Sequence, residues 1–222
     1  MSAFSSVLHS TRVRSVVDRL IETGEAIDRE IMPRAFPAAA GGVRNDLHAQ
    51  DALRDAYMAI DRPTALFLYN LVRARGARTV VEFGASFGIS TIHLAAAVKD
   101  AGLGRIVSTE MEPKKVKAAS ENLAEAGLAD VVEILEGDAF LTLAQRSESI
   151  DVLFLDGWKE LYLPLLKLLE PKLSPNAVVV ADDVALMPEV LAPYVRYVRD
   201  PANGYTSVEI PLGDHVEFSV RA

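Results

Sequence analysis

Three aspartates and a lysine stand just past the ends of two apolar runs. Ile150–Leu155 is followed by Asp156-Gly157-Trp158-Lys159, and residues 177–181 by Asp182-Asp183. Short apolar runs rich in β-branched residues read as buried strands, so the three carboxylates are expected at neighbouring strand ends. Brought together, they repel one another unless a cation sits between them. Oxygen-only donors suit a hard ion: Mg2+, Mn2+ or Ca2+. Consecutive strand residues point to opposite faces, so Asp182 and Asp183 converge only if the strand has already ended. The plainer alternative is two helix-capping acids and one solvated acid. Lys159 follows Asp156 by about one helical turn. Beside a metal and partly desolvated, its neutral form is more accessible, and it can take a proton from a hydroxyl. On spacing alone, a solvated lysine is the commoner outcome.

A second constellation lies upstream. Val80-Val81-Glu82-Phe83-Gly84-Ala85-Ser86-Phe87-Gly88-Ile89-Ser90 reads as a strand, a glycine loop and the start of a helix, the opening half of a dinucleotide-type α/β unit. Glycine there lets a ligand approach the backbone. The spacing Gly84-x-x-x-Gly88 differs from the G-x-G-x-x-G of nicotinamide folds. Glu82 ends its strand, and its carboxylate is expected to face the crevice. Glu110 ends the next strand, where a carboxylate can accept both hydroxyls of a ribose; an exposed strand-end acid is the alternative. Asp138 and Ala139 follow the third strand. There a carboxylate and a backbone N–H can read an adenine edge, although Asp138 also suits a helix N-cap. Trp158, the single tryptophan, either lies against an adenine ring or fills core space. Of the histidines, His93 reads as structural, and His215, in the last hairpin turn, as a candidate for the edge of a substrate pocket.

The elements that must position these residues follow from periodicity. Residues 8–31 read as a helix that Pro33 ends. Residues 36–42 form a loop, either a lid or a plain connector. Residues 46–59 and 63–75 read as two more helices, the last opened by Pro63 and closed by Gly76. Residues 1–76 are therefore expected to form helices capping a core of residues 77–222 within one domain. From Thr79 onward strands and helices alternate, and that implies a mostly parallel sheet covered on both faces. Tyr205–Ile210 and Val216–Arg221 flank a gap too short for a crossover helix, so they read as an antiparallel hairpin at a sheet edge. The expected class is α/β: a Rossmann-like sheet of seven strands with helices on both faces.

Bulk composition narrows the function. At 222 residues, half of them hydrophobic and 24% charged, the chain suits one globular domain. The absence of cysteine excludes disulfides, thiol nucleophiles and zinc–thiolate sites and fits the cytoplasm. No run is apolar enough to span a membrane, and no secretory signal is evident. A net charge of −8 argues against a nucleic-acid partner. Oligomeric state is left open, a homodimer included.

With these residues assembled, the sequence resembles catechol O-methyltransferase and the related Mg2+-dependent class I O-methyltransferases from about residue 58 to the C-terminus. The likeness is carried by Leu153-Phe154-Leu155-Asp156-Gly157-Trp158-Lys159, Leu161-Tyr162-Leu163-Pro164, Ala181-Asp182-Asp183-Val184 and Val81-Glu82-Phe83-Gly84. Glu-x-Gly-x-x-x-Gly is the pattern by which such enzymes hold S-adenosylmethionine (SAM). The resemblance implies methyl transfer from SAM to a hydroxyl of a small, catechol-like acceptor. It implies Asp156, Asp182 and Asp183 as metal ligands and Lys159 as general base. The SAM site it implies runs along Glu82, Gly84, Ala85, Ser86 and Ser90, then Glu110 and Met111, then Asp138, Ala139 and Phe140, then Asp156 and Trp158. Ile60 would touch the methionine portion, and Met58 would lie near the transferred methyl.

There are departures from the family pattern. Asp183 stands where asparagine is usual, Ser86 replaces an aromatic, and the late glutamate that holds the second substrate hydroxyl has no clear match. It would fall near Ser207, with Glu209 as a stand-in. Two other classes fit the same sheet: a nicotinamide oxidoreductase, and a SAM-binding module without catalysis. A nucleic-acid methyltransferase is weaker still, since no Asn/Asp-Pro-Pro-aromatic motif is present.

Overall fold

The computed structural model describes residues 6–39 and 51–222. Its centre is β1 (Thr79–Phe83), whose last four residues are all buried. β1 pairs in parallel with β2 (Arg105–Glu110) on one side and β4 (Ile150–Leu155) on the other. β3 (Val132–Glu136) lies outside β2, and β5 (Leu173–Ala181) outside β4. β7 (Val216–Arg221) runs antiparallel beside β5, and β6 (Tyr205–Ile210) closes that edge as its hairpin partner. The order is β3-β2-β1-β4-β5-β7-β6, the mixed seven-stranded arrangement expected from the alternation of strand and helix runs.

Alternation along each strand splits the core in two. Val80, Val152, Phe154, Val178 and Val180 face one side, with Leu20, Leu68 and Ile92. These last three come from α1 (Thr11–Ala39), α2 (Arg62–Arg75) and α3 (Ile89–Ala101). α4 (Pro113–Ala126) adds Leu123 on the same side. Val81, Leu153, Leu155 and Val179 face the other side and pack on α6 (Tyr162–Leu169) and α7 (Pro188–Arg199). The short α5 (Ala139–Thr142) follows β3. Both faces of the parallel strands are covered, so those strands read as continuous apolar runs.

The N-terminal part differs from the sequence expectation in two places. α1 does not stop at Pro33: it runs through Pro33 and Pro37 to Ala39. A proline removes one main-chain donor, and here the ladder resumes beyond it. Residues 36–39 of the expected loop are thus helical, and 40–42 lie outside the described residues. Of the expected helix over 46–59, residues 46–50 lie outside the described residues, 51–52 are helical, 53–55 form a turn, and the expected helix does not continue through 56–59, where 56–61 are irregular. Main-chain groups at 57–58 find side-chain partners instead of helical ones. The Tyr57 and Met58 N–H groups donate to the Asp28 carboxylate at 2.7 and 2.8 Å, and the Ser86 hydroxyl donates to the Tyr57 carbonyl at 2.9 Å. By contrast α2 starts and stops as its sequence signals predict: Asp61 accepts from the Thr64 N–H, and Gly76 closes it at φ 65°. No described helix is long and apolar enough to cross a membrane.

Candidate active site

The strand order turns over between β1 and β4, and a cavity of about 490 Å3 opens beyond their carboxyl ends. Ligands bind at such a switch point in open α/β sheets. The glycine loop contributes Gly84, Ala85, Ser86 and Ser90; the end of β2 contributes Glu110 and Met111. Asp138, Ala139 and Phe140 enter after β3, and Asp156, Trp158 and Lys159 after β4. Met58, Ile60 and Asp183 complete the set of sequence-nominated residues on its wall. Trp158 is a half-buried part of that wall rather than core filling.

Glu82 and Asp182 do not line the cavity. Glu82 shares the side of β1 that carries Val80, so its carboxylate turns under α3 and not into the crevice. It is fully buried and accepts from Thr91 Oγ1 at 2.6 Å and Ser108 Oγ at 2.5 Å. Its other oxygen has no partner among the described residues. Burial pushes this carboxyl's pKa up, and the hydroxyls oppose the shift.

Glu110 is held from behind. Ser86 N–H donates to one oxygen at 2.8 Å, and the Met111 and Glu112 N–H groups to the other at 2.8 and 2.9 Å. Asp138 is both wall and N-cap, accepting from the Phe140 N–H at 2.8 Å. Gly84 sits at φ +100°, and a Cβ there would lie 2.6 Å from the Asp156 carbonyl oxygen. Gly84→Ala should therefore cost about 1–3 kcal/mol of stability or more, read as an early thermal melt, with the loop and β4 pushed apart. A melting temperature equal to the parent's would show that the loop yields without cost.

Beyond β4 and β5 the acids and the lysine meet. β5 ends at Ala181, so the condition for Asp182 and Asp183 to escape strand alternation is satisfied. Asp183 takes φ 62°, a left-handed conformation that aspartate tolerates better than most residues. Lys159 Nζ donates to Asp183 Oδ2 at 2.6 Å, lies 3.3 Å from Asp156 Oδ1, and donates to the Tyr162 hydroxyl at 2.8 Å. Asp182 is set back. It is 5% exposed, and its Oδ1 accepts from the Asp183 N–H at 2.9 Å. The expected gathering of three carboxylates is thus two on the cavity wall and one behind. Among the described residues no three His, Cys, Asp or Glu side chains stand grouped as a metal site. The ammonium of Lys159 fills the place where a shared cation was expected.

Electrostatics follow from that arrangement. Burial raises the pKa of Asp156 well above normal; Lys159 opposes this, while Asp182 and Asp183 add to it. Burial, then the charge of Asp183, pushes Asp182 up to about 7. Burial works against the charge on Lys159, but Tyr162, Asp156 and Asp183 outweigh it and hold its pKa well above normal. With Asp156 and Asp183 facing it, the charged form of Lys159 is favoured; the easing toward the neutral form was expected for a lysine beside a metal. The whole cavity is short of positive charge, with seven carboxylates on its wall against Arg54, Lys115 and Lys159.

Other nominated residues lie elsewhere. His93 is buried with Nδ1 at 2.8 Å from the Ile89 carbonyl, a structural role as expected. His215 pairs with Glu209 at 2.6 Å and does not line the cavity. Glu209 also binds Arg199, and Ser207 donates to buried Glu217; neither reaches the cavity. Asp214, next to His215, does. Sequence reasoning also missed Asp28, Tyr57, Lys115 and Tyr162. Only Tyr162 carried a local signal, its place three residues after Lys159.

The strand order, the glycine loop and the acid closing β2 define a class I methyltransferase fold. Residues 81–184 match the protein family described as "Methyltransferase domain". The catechol O-methyltransferase of Mycobacterium tuberculosis is 36% identical over 140 residues, 62% of this chain and 62% of that protein. The crystal structure of cofactor-bound Rv0187 from MTB superposes with a TM-score of 0.70 at 26% identity, covering 85% of this chain and 89% of that one. The O-methyltransferase TomG from Streptomyces achromogenes, involved in tomaymycin synthesis and solved with SAM, gives 0.64 at 26% identity over 86% and 96%. Over those 140 residues the chain is similar in sequence to catechol O-methyltransferases, and it shares the fold of the solved methyltransferases. It spans less than two thirds of the length of the first curated relatives it matches, 62%, 63% and 65%.

Proposed function

We propose that the chain transfers a methyl group from SAM to a hydroxyl of a small acceptor bearing two adjacent oxygens, with the help of a divalent cation. The observation that carries this is the opening of Lys159, Asp156 and Asp183 into the same cavity as Glu110 and the glycine loop. The wall fits a cationic nucleoside, with apolar faces at Ile60, Ala139, Phe140 and Trp158 and an acid held ready at Glu110. The acid cluster fits a hard cation in its chemistry: its donors are all oxygens, and burial together with the neighbouring carboxylates pushes Asp156 and Asp182 up in pKa, a strain that a cation would relieve. Asp156, Asp182 and Asp183 would hold the ion, and it would draw their charge from Lys159 and acidify a bound hydroxyl.

The chain's own residues do the rest. Glu110 would accept from the ribose hydroxyls, and Ser90 and Ile60 would orient the methionine portion. Lys159 Nζ, relieved of its carboxylate partners, would accept the hydroxyl proton as the oxygen takes the methyl, and S-adenosylhomocysteine leaves. Met58 and Trp158 would keep water from the transfer path. Holding the reactants in line could supply on the order of 7–11 kcal/mol in favourable cases. We take residues 1–76 as a cap on the 77–222 core, the acceptor as a small molecule rather than nucleic acid, and the cytoplasm as the site of action.

The test is methyl transfer from labelled SAM to a panel of dihydroxy-aromatic compounds, with Mg2+ and with EDTA, alongside calorimetry with SAM and NADH. Expected are SAM binding, no NADH binding, and turnover that EDTA abolishes and Mg2+ restores. SAM binding without transfer would leave a nucleoside-holding module, and full turnover in EDTA would remove the cation.

A further inference from the structure

Tyr162 opens α6 and is wholly buried, yet its phenol belongs to the site. Lys159 Nζ donates to the phenolic oxygen at 2.8 Å, and the phenol in turn points its O–H at the Asp182 main-chain carbonyl, 3.4 Å away. The ring cannot swing aside. Phe83 meets it at 6.5 Å and 77°, and Tyr194 at 5.9 Å and 84°, and Lys159 Nζ lies 5.2 Å from its centroid. With its hydrogen directed at the carbonyl, the phenol keeps a lone pair for the ammonium. The other two groups bonded to Lys159, Asp156 and Asp183, are both candidate cation donors. Tyr162 is the partner that a cation would not take.

We propose that Tyr162 is the positioning residue for Lys159, holding Nζ at the cavity wall when the carboxylates turn to another charge. This rests on the methyl-transfer reading above. A tyrosine that only fills core space would need no hydroxyl here, and a buried phenol without a partner is costly. The α6 turn sets the geometry: Lys159 and Tyr162 are three residues apart, across a 3-10 turn (Lys159–Leu161) that brings both side chains to one side.

Tyr162→Phe keeps the ring and removes the bond. Expected is a kcat about ten- to a hundredfold lower, with KM for SAM and for the acceptor within about twofold of the parent. On a Lys159→Met background the same change should cost nothing further, because the phenol acts through the lysine. Rates are taken per SAM-binding site, counted by calorimetry, so that partial unfolding of the variant does not mimic the effect. An unchanged kcat, a rise in KM alone, or an equal loss on the Lys159→Met background would each overturn the assignment. A parent protein that binds SAM but methylates nothing in the panel would overturn the methyl-transfer reading and this inference with it; an active parent with an unaffected Tyr162→Phe would overturn the inference alone.

Discussion

Lys159→Met lowers turnover by about 10²–10⁴-fold, the range that a positioned proton acceptor contributes, and leaves SAM affinity nearly unchanged. Methionine preserves the length and the apolar stem but cannot take a proton. The nucleoside wall at Glu110, Ala139 and Trp158 does not depend on the ammonium, so calorimetry should find SAM bound in the variant. Lys159→Arg should not rescue turnover, because a guanidinium stays protonated in proteins and has the wrong shape for a point contact. The structure makes the result sharper than the sequence did. Lys159 is clasped by Asp156, Asp183 and Tyr162, so removing it leaves two acids facing one another, and they must bind a proton or a cation. Divalent-ion affinity should therefore rise in the Met variant even as catalysis falls. Turnover equal to the parent's would take Lys159 out of the reaction.

The sheet was legible because β1, β4 and β5 are buried on both faces and cannot avoid an apolar run, and because Gly76, Gly127 and Pro113 mark helix ends by backbone geometry alone. The crevice was legible for a similar reason: residues just past parallel strand ends have nowhere else to go. What could not be read was the direction of a side chain set by something distant in sequence. Glu82 looked like a crevice acid, but its parity on β1 sends it under α3 to Thr91 and Ser108. The irregular 56–61 segment is held by Asp28 and Ser86, partners 29 residues away in both directions for Tyr57, and periodicity is blind to such contacts. Strain also gathers at the site: of the five non-glycine residues with positive φ among those described, Met58, Ser86 and Asp183 line the cavity. Such conformations persist where surrounding structure over-determines them. None of the three types advertises it in the sequence. Asp214 shows the same limit from the other side. The hairpin turn was recognised, but which of its residues faces the cavity depends on how Val184 and Ala185 bond to the His215 and Asp214 carbonyls.

In metal-free protein, stability falls as pH rises from about 4 to about 7, by on the order of 4 kcal/mol from Asp182 alone. Burial and Asp183 push this carboxyl up to about 7, from 3.8 in the unfolded chain. Between those values the folded protein keeps a proton that the unfolded chain has lost. Folding then takes up protons, and its stabilising effect is complete below the lower value and gone above the upper one. Asp182→Asn removes the titration, so chemical denaturation across this range should give a flatter profile and a variant more stable than the parent at pH 8. A divalent cation should narrow that gap. Bound only by the folded state, at a hundred times its Kd it adds about 2.7 kcal/mol, and above pH 7 no proton competes with it for Asp182. The parent should gain from Mg2+ at pH 8 and the Asn variant much less, since it has lost one of three charged oxygen donors. This separates the acid cluster's two roles without recourse to turnover: a flat parent profile would deny the buried carboxyl, and equal gains with Mg2+ would deny Asp182 a place at the ion.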